Sequence, residues 1–294
     1  MIKVCCLFLS LYISLVQAEQ LTLSHARLAM GFYYPSLSNV SNQTDIEISL
    51  NYWMKELTDE IDIKNSYSVI YDDIVSMKTA FDNRKIDMVI APPLLLAIYF
   101  ERNLLSDGFV GVKEKNKKDH LVIITNQKEK MAPTGFLGKR LLLPTNDLLA
   151  EVFMQTETIK HYHHSYQRVF RQISKVDTNQ RIILDLFFGR ADVAVVYQST
   201  LNLMAEMNPQ ITKEITILNS FAIKSRNYGY FHRDYHYQVQ LKKVAHQFTS
   251  EIRGRQILEA FQSSDIDTSS VDDLARFDAF YKSYLKLKKA LVND

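Results

Sequence analysis

The chain has 294 residues, with 35 Lys and Arg against 33 Asp and Glu, a formal charge of +2. A balance this even excludes the basic surface that binding nucleic acid requires, so no nucleic-acid partner is expected. Its two cysteines, Cys5 and Cys6, both lie at the extreme N-terminus.

There one cation, Lys3, precedes an apolar run from Val4 to Val16, and Val16-Gln17-Ala18 stands before Glu19. This is the pattern of a cleaved secretory signal over residues 1–18, and it predicts a periplasmic protein. The run is shorter than the roughly 20 residues of a membrane span, and no second such stretch follows. Cleavage would remove Lys3, leaving a net charge of +1, and both cysteines with it. A mature chain without a thiol has no disulfide, no cysteine nucleophile and no sulfur-bound metal. The 276 residues left after removal of 18 from 294 fit one two-lobed protein or two ordinary domains. With 16 Tyr and 16 Phe, the chain has rings enough to pack a core and to line a pocket.

Ala26 to Phe32 reads as a first strand, and the turn formers from Tyr33 to Thr44 as the loop after it. Ile46, Leu50, Trp53, Met54 and Leu57 recur at helical spacing, with Asp45 as the expected cap. Ser66 to Tyr71 alternates as a strand, Ile74, Met77 and Phe81 mark a helix, and Ile86 to Ala91 is a buried strand. This βαβαβ order predicts a parallel sheet with helices on both faces. Pro92-Pro93 then opens a helix running to Phe100, where a missing N–H costs nothing. The same turn lies at the carboxyl end of a parallel strand, the end that faces ligands in such sheets.

Apolar runs at Phe109–Val112 and Leu121–Thr125 flank the charged segment Lys113 to His120, which reads as a solvated loop placed to cross between lobes. Lys139 to Leu143 is a strand, and Pro144-Thr-Asn-Asp147 leads into a helix carrying Leu148, Leu149, Val152 and Phe153. Residues 157–180 show no clear period. Ile182, Ile183, Leu186 and Phe187 form a helical stripe, and Leu201, Met204 and Ala205 another. Ile215 to Ala222 reads as the return crossover. In the tail, Leu241, Val244, Ala245 and Phe248 share a helical face, Arg253-Gly254 reads as a break, and a last helix runs from about Asp272 to Leu291.

Two stretches repeat each other, Lys78 to Pro93 and Leu184 to Gln198: a helix end, a basic turn, an Asp (Asp87, Asp192), then a short buried strand. The recurrence predicts two similar α/β lobes with a cleft between them, a usual place for a small ligand. Each Asp precedes its strand, remote from such a cleft, and is expected to fix the helix-to-strand turn.

Residues 191–211, together with Asn51-Tyr-Trp-Met-Lys-Glu-Leu, Tyr71-Asp-Asp, Asp87 to Pro93, Gly138-Lys139, Phe231-His-Arg-Asp234 and Gly254-Arg-Gln-Ile-Leu, occur in family order. They resemble the phosphate/phosphonate-type substrate-binding proteins of ABC transporters, over nearly the whole mature chain. The resemblance implies the two-lobed type II periplasmic-binding-protein fold, each lobe a mainly parallel sheet flanked by helices, with two crossing strands as hinge. It implies a discontinuous first lobe, 19–118 with 224–294, and a second lobe at 119–223. Phe32, Tyr33 and Tyr34 after the first strand, Tyr71 after the second and Pro93 occupy the family's ligand-facing positions.

In the second lobe the family offers a Ser/Thr/Gly turn at a helix N-terminus for an oxyanion; here Thr145 and Asn146 stand there, followed by Asp147. Asp147 would repel a phosphonate if it faced the cleft; capping its own helix is the alternative. The family's pocket histidine falls at Asn179, and its acidic residue after the second-lobe strand is replaced around Tyr197 and Gln198. These departures predict a small polar or anionic ligand that is phosphonate-like or broader, such as one with an amine or a flat apolar portion against tyrosines. The expected partner is the membrane permease of an ABC importer, or alternatively a membrane sensor, and the expected state is a monomer.

His161, His163 and His164 lack a carboxylate spaced to complete a metal site, and Asp265 to Ser270 resembles a calcium loop only at its start, since Ser270 stands where Gly is needed. Ser269 or Ser270 capping the last helix is the simpler reading. No nucleophile elbow, zinc-protease, P-loop or dinucleotide pattern occurs, so neither an enzyme, a metal nor a cofactor is expected.

Overall fold

The structure, a computed structural model, describes residues 27–34, 43–59, 61–112, 118–126, 133–249, 252–260 and 263–293. The signal at 1–18, the loop at 35–42 and most of the charged run at 113–117 lie outside the described residues.

The first sheet grows from β1 (Arg27–Phe32), α1 (Gln43–Asp59), β2 (Asn65–Ile70), α2 (Ile74–Asp82) and β3 (Met88–Ala91). β1 lies parallel to both β2 and β3, with Arg27 opposite Asn65 and Met30 opposite Met88. Alternation along β1 sends Leu28, Met30 and Phe32 into one cluster with Leu50 and Met54 of α1, and Ala29 into another with Met77 and Phe81 of α2. Helices therefore cover both faces. α1 begins at Gln43, so Asp45 lies inside its first turn and is not the cap. After α3 (Pro93–Tyr99), the strand β4 (Leu105–Val112) joins the same sheet.

The second sheet takes β5 (Asp119–Asn126), β6 (Arg140–Pro144), α4 (Leu148–Tyr162), α5 (Tyr166–Val169), β7 (Gln172–Val176), α6 (Asn179–Phe187), β8 (Val193–Tyr197), α7 (Gln198–Met207), α8 (Gln210–Glu214) and β9 (Ile215–Ile223). The chain then returns to the first sheet through β10 (Tyr228–His232), α9 (Gln238–Phe248), α10 (Ile252–Ala260) and β11 (Asp265–Ser269), and ends in α11 (Ala275–Asn293). The strand orders are β11-β4-β10-β3-β1-β2 and β7-β6-β8-β5-β9. In each, the three strands of the βαβαβ half are parallel, the fourth runs antiparallel to them, and the fifth runs antiparallel to the fourth. The fourth strand of each sheet, β10 or β5, follows in chain order a strand of the other sheet, β9 or β4.

The repeated aspartates anchor each βαβαβ half in the same way. Asp87 accepts Arg27 Nε at 3.2 Å and the Ala29 amide at 2.9 Å, while Arg27 also donates to the Arg84 carbonyl at 2.8 Å. Asp192 accepts Arg140 Nε at 3.1 Å and the Arg140 amide at 2.8 Å, while Arg140 donates to the Gly189 carbonyl at 2.8 Å. Each arginine opens the first strand of its half, so the carboxylate ties the strand start to the turn before the third strand. Both turns need a left-handed residue three positions before the Asp: Arg84 at φ 58° and Gly189 at φ 72°. The Arg140 guanidinium holds the Asp192 carboxyl below its ordinary value of 3.8, against the opposing effect of burial.

One expectation changes in the tail. Gly254 lies buried within α10, so the break falls before Ile252, not at Arg253-Gly254. Asp265 to Ser269 is a strand paired antiparallel with β4, which removes the likeness to a calcium loop. Ser270 caps a 3-10 turn, Val271–Leu274, that runs into α11. α11 packs on α3 beside the first sheet and on α4 beside the second. Phe277 lies 5.9 Å from Phe221 of β9 and 6.0 Å from Tyr228 of β10, ring centre to ring centre.

Candidate functional site

At the carboxyl ends of the parallel strands the two sheets enclose a cavity of about 80 Å³. The first sheet contributes Tyr34 from the end of β1 and Pro92, Pro93 and Leu95 from the β3–α3 turn; the second contributes Thr145, Asn146, Asp147, Asp177, Asn179 and Tyr197. Ile223, Ser225 and Arg226 close it from the return crossing. Loops at this end of a parallel sheet meet helix N-termini, which is why ligands collect there.

Local rules place the second wall. Asn146 adopts φ 55°, a left-handed turn that its short side chain tolerates, and the Thr145 amide donates to the Val176 carbonyl at 3.0 Å. The turn delivers Asp147 to the start of α4, where its Oδ1 accepts the Ala150 amide at 3.0 Å. Its Oδ2 accepts the Tyr197 hydroxyl at 2.6 Å. Asp147 thus caps its own helix and also lines the cavity, so the two readings of this residue hold together. Its charge sits at the positive end of α4, where a carboxylate is favoured.

Tyr197 ends β8 and is 6% exposed. Burial, and next the charge of Asp147, push its phenol well above the ordinary range, so it stays a proton donor to that carboxylate. The Arg226 guanidinium carbon lies 4.0 Å from the centre of the Tyr197 ring, and Arg226 Nη2 donates to Thr200 Oγ1 at 2.9 Å. Asn179 Oδ1 accepts the Tyr197 amide at 3.2 Å, pinning the β8–α7 turn to the start of α6. Asp177 is exposed at the cavity's edge. The cavity therefore holds a cation stacked on a phenol, a carboxylate that already has two donors, and hydroxyl and amide groups suited to a polar guest.

Of the ten residues singled out from sequence, Tyr34, Pro93, Thr145, Asn146, Asn179 and Tyr197 meet at this cavity. Phe32 is 4% exposed and lies in the core beneath α1, because the alternation of β1 turns it to that face. Tyr33 and Tyr71 are half-buried and pack on the core of the α2 face; burial raises both phenols. Gln198, the first residue of α7, is half-buried and not among the lining residues. Sequence reasoning passed over Ser225, Arg226 and Asp177. Sequence carries no signal for Arg226, which only the folded return crossing sets over the Tyr197 ring; Asp177 could have been found from its place two residues before Asn179.

Elsewhere, the Glu157 carboxylate accepts Lys160 Nζ at 2.9 Å and Asn219 Nδ2 at 2.7 Å, and His163 is the left-handed cap of α4. Among the described residues no cluster of three or more His, Cys, Asp or Glu is arranged to hold a metal, and no helix is long and apolar enough to cross a membrane.

The fold recurs in proteins of low sequence identity. A Xanthomonas citri protein bound to chloride superposes with a TM-score of 0.65 at 11% identity, covering 90% of this chain and 99% of its own. The methylphosphonate complex of a Prochlorococcus marinus protein, PhnD1, gives 0.60 at 13% identity, covering 88% and 98%. A binding protein component of an ABC phosphonate transporter from Pseudomonas aeruginosa gives 0.55 at 11% identity, covering 91% and 99%. No curated protein matches the sequence. Residues 36–274 match the family described as ABC transporter, phosphonate, periplasmic substrate-binding protein. Two mixed sheets flanked by helices, the structural likeness and this match agree: the chain belongs to the phosphonate-type periplasmic substrate-binding proteins of ABC transporters, with their two-lobed type II fold.

Proposed function

We propose that the chain captures a small polar or anionic solute in the cavity between its sheets and presents the closed form to the permease of an ABC importer. The first lobe would be residues 19–118 with 224–294 and the second 119–223, with the two crossing strands as hinge. The observation that carries this reading is a single cavity lined from both sheets, by Tyr34 and Pro93 on one side and Thr145, Asn146, Asn179 and Tyr197 on the other. A solute touching both walls stabilises the closed state by its contacts, a population shift. Arg226 is the group suited to a negative charge on the solute, and Asp147 sets a limit on how much charge the second wall accepts. The protein is expected to act as a monomer, without a catalytic step.

Native mass spectrometry of the mature protein, then a thermal-shift panel starting with methylphosphonate and extending to sulfonates, phosphate and amines, tests this. A solute at 100 times its dissociation constant adds about 2.7 kcal/mol of stability. Arg226→Ala should weaken the best compound about tenfold, and a panel with no shift for any compound would remove the reading.

A further inference from the structure

The charges around the interlobe cavity narrow the class of solute it takes. Among the described residues that line it, the charged side chains are Asp147, Asp177 and Arg226, two carboxylates against one cation. They are also sorted in space. Both carboxylates belong to the second sheet, Asp147 at the start of α4 and Asp177 just after β7, whereas the cation stands on the return crossing. The Tyr197 phenol touches both kinds of charge: Asp147 Oδ2 accepts its hydroxyl at 2.6 Å, and the Arg226 guanidinium carbon lies 4.0 Å from its ring centre. The wall from the first sheet opposes them with Pro92, Pro93, Leu94 and Leu95, none of them charged. The N-terminus of α4, a natural place for an oxyanion, is already filled by the carboxylate of Asp147, which takes the Ala150 amide. A carboxylate has about four lone-pair sites, and with one bond from Ala150 and one from Tyr197, Asp147 can still accept from a guest.

From this arrangement we infer that the cleft selects a short amino acid, a zwitterion whose ammonium donates to Asp147 beside Asp177, whose single carboxylate faces Arg226, and whose carbon side rests on the prolines. The inference depends on the cleft being the solute site, as proposed above, and adds which solute enters it. A phosphonate would bring a second negative charge to a wall already negative, with one guanidinium to meet it, and juxtaposed like charges repel. A simple amine would set a cation against Arg226, and a simple acid would leave both carboxylates without a cation. The cavity, of about 80 Å³, is smaller than the roughly 150 Å³ that holds benzene, so only the shortest amino acids fit.

The test is calorimetric titration of the mature protein, near neutral pH, with glycine and three relatives close to it in size. Propionate lacks the ammonium, glycinamide lacks the carboxylate, and aminomethylphosphonate adds a negative charge. Glycine is expected to bind at least about tenfold more tightly than each of them. Asp147→Asn keeps a residue that caps α4 well; it should weaken glycine and strengthen propionate, a gain that damage to the fold does not produce. Asp177→Asn, at the exposed rim, should act in the same direction by less, and serves if the first variant does not fold. Arg226→Gln should erase the preference for glycine over glycinamide. Any of the three relatives binding as tightly as glycine, or a preference for glycine over propionate unchanged in Asp147→Asn, would overturn the inference and leave the cleft as the solute site. So would a failure of all four while another compound of the thermal-shift panel binds; failure of the whole panel would remove the cleft reading as well.

Discussion

The two halves of the molecule share one plan at the amino ends of their parallel strands and part company at the carboxyl ends. At the amino ends, Arg27–Asp87 and Arg140–Asp192 are the same device, down to the carbonyl each arginine takes in the turn three residues before the Asp. At the carboxyl ends the equivalent turns are Pro92-Pro93 and Tyr197-Gln198. Both enter their helices from extended backbone, at ψ 135° and 132°, and without a side-chain cap. One offers an apolar wall; the other offers a buried phenol bound to Asp147 and stacked under Arg226. The comparison separates what builds a lobe from what selects a guest: the scaffold device is duplicated, the chemistry at the cleft is not.

Removing the device from each half in turn is the strongest way to strain this comparison. Asp192→Ala leaves Arg140 without its carboxylate and is expected to cost about 3 kcal/mol in urea unfolding. Asp87→Ala should cost less, about 2 kcal/mol, because the Arg27 side chain is 39% exposed against 29% for Arg140, and water replaces the lost partner more readily. Equal losses, or a larger one at Asp87, would show that the two clamps are not set by burial. The Asp192 clamp also has a pH signature. Its folded carboxyl titrates below the ordinary 3.8, so its stabilisation is complete above that value and fades as pH falls through 3.8 toward the folded value. Asp192→Asn should flatten the acid limb of the stability curve in that window, and an unchanged limb would contradict the assignment.

Smaller effects probe the carboxyl end and the turns. Tyr197→Phe removes the hydroxyl that Asp147 accepts and should cost about 1.5 kcal/mol, whereas trimming Pro93 to Ala, with no such bond to lose, should stay near neutral by thermal melt. Gly189→Ala forces a side chain into left-handed backbone for about 1 kcal/mol. Arg84→Gly relieves the matching strain in the first half but loses the ion pair of Arg84 with Asp234, so its net effect should lie within about 0.5 kcal/mol. Opposite signs at these two sites would sharpen the equivalence; equal destabilisation would weaken it.

The sequence was legible where each residue's role matched its type. β1, α2, β3 and α6 follow directly from apolar period, and the duplicated Asp turns announce the two sheets. Legibility failed where polar residues were buried or where partners came from far along the chain. α4 runs on through Gln155, Thr156, Glu157 and Thr158, all buried, because the threonine hydroxyls return to carbonyls of the preceding turn, Thr156 to Val152 at 2.7 Å, and Glu157 finds Lys160 and Asn219. A polar stretch thus conceals a helix. β11 is strand only because it pairs with Val110 and Val112, more than 150 residues earlier, and Gly254 served packing within α10, not a turn. At the cleft, Tyr34, Pro93 and Tyr197 could be placed from strand ends, but Arg226 could not, since only the folded return crossing sets it over the Tyr197 ring.

The central claim is that one solute engages both walls of the interlobe cavity, and amide hydrogen exchange with the compound recovered by native mass spectrometry tests it most directly. Slowed exchange on both sides at once, at Leu94 and Leu95 of the first wall and at 145–149 of the second, together with Arg226 of the crossing, is the predicted result. Protection confined to one wall, or exchange unchanged at both while the compound is bound, would contradict it.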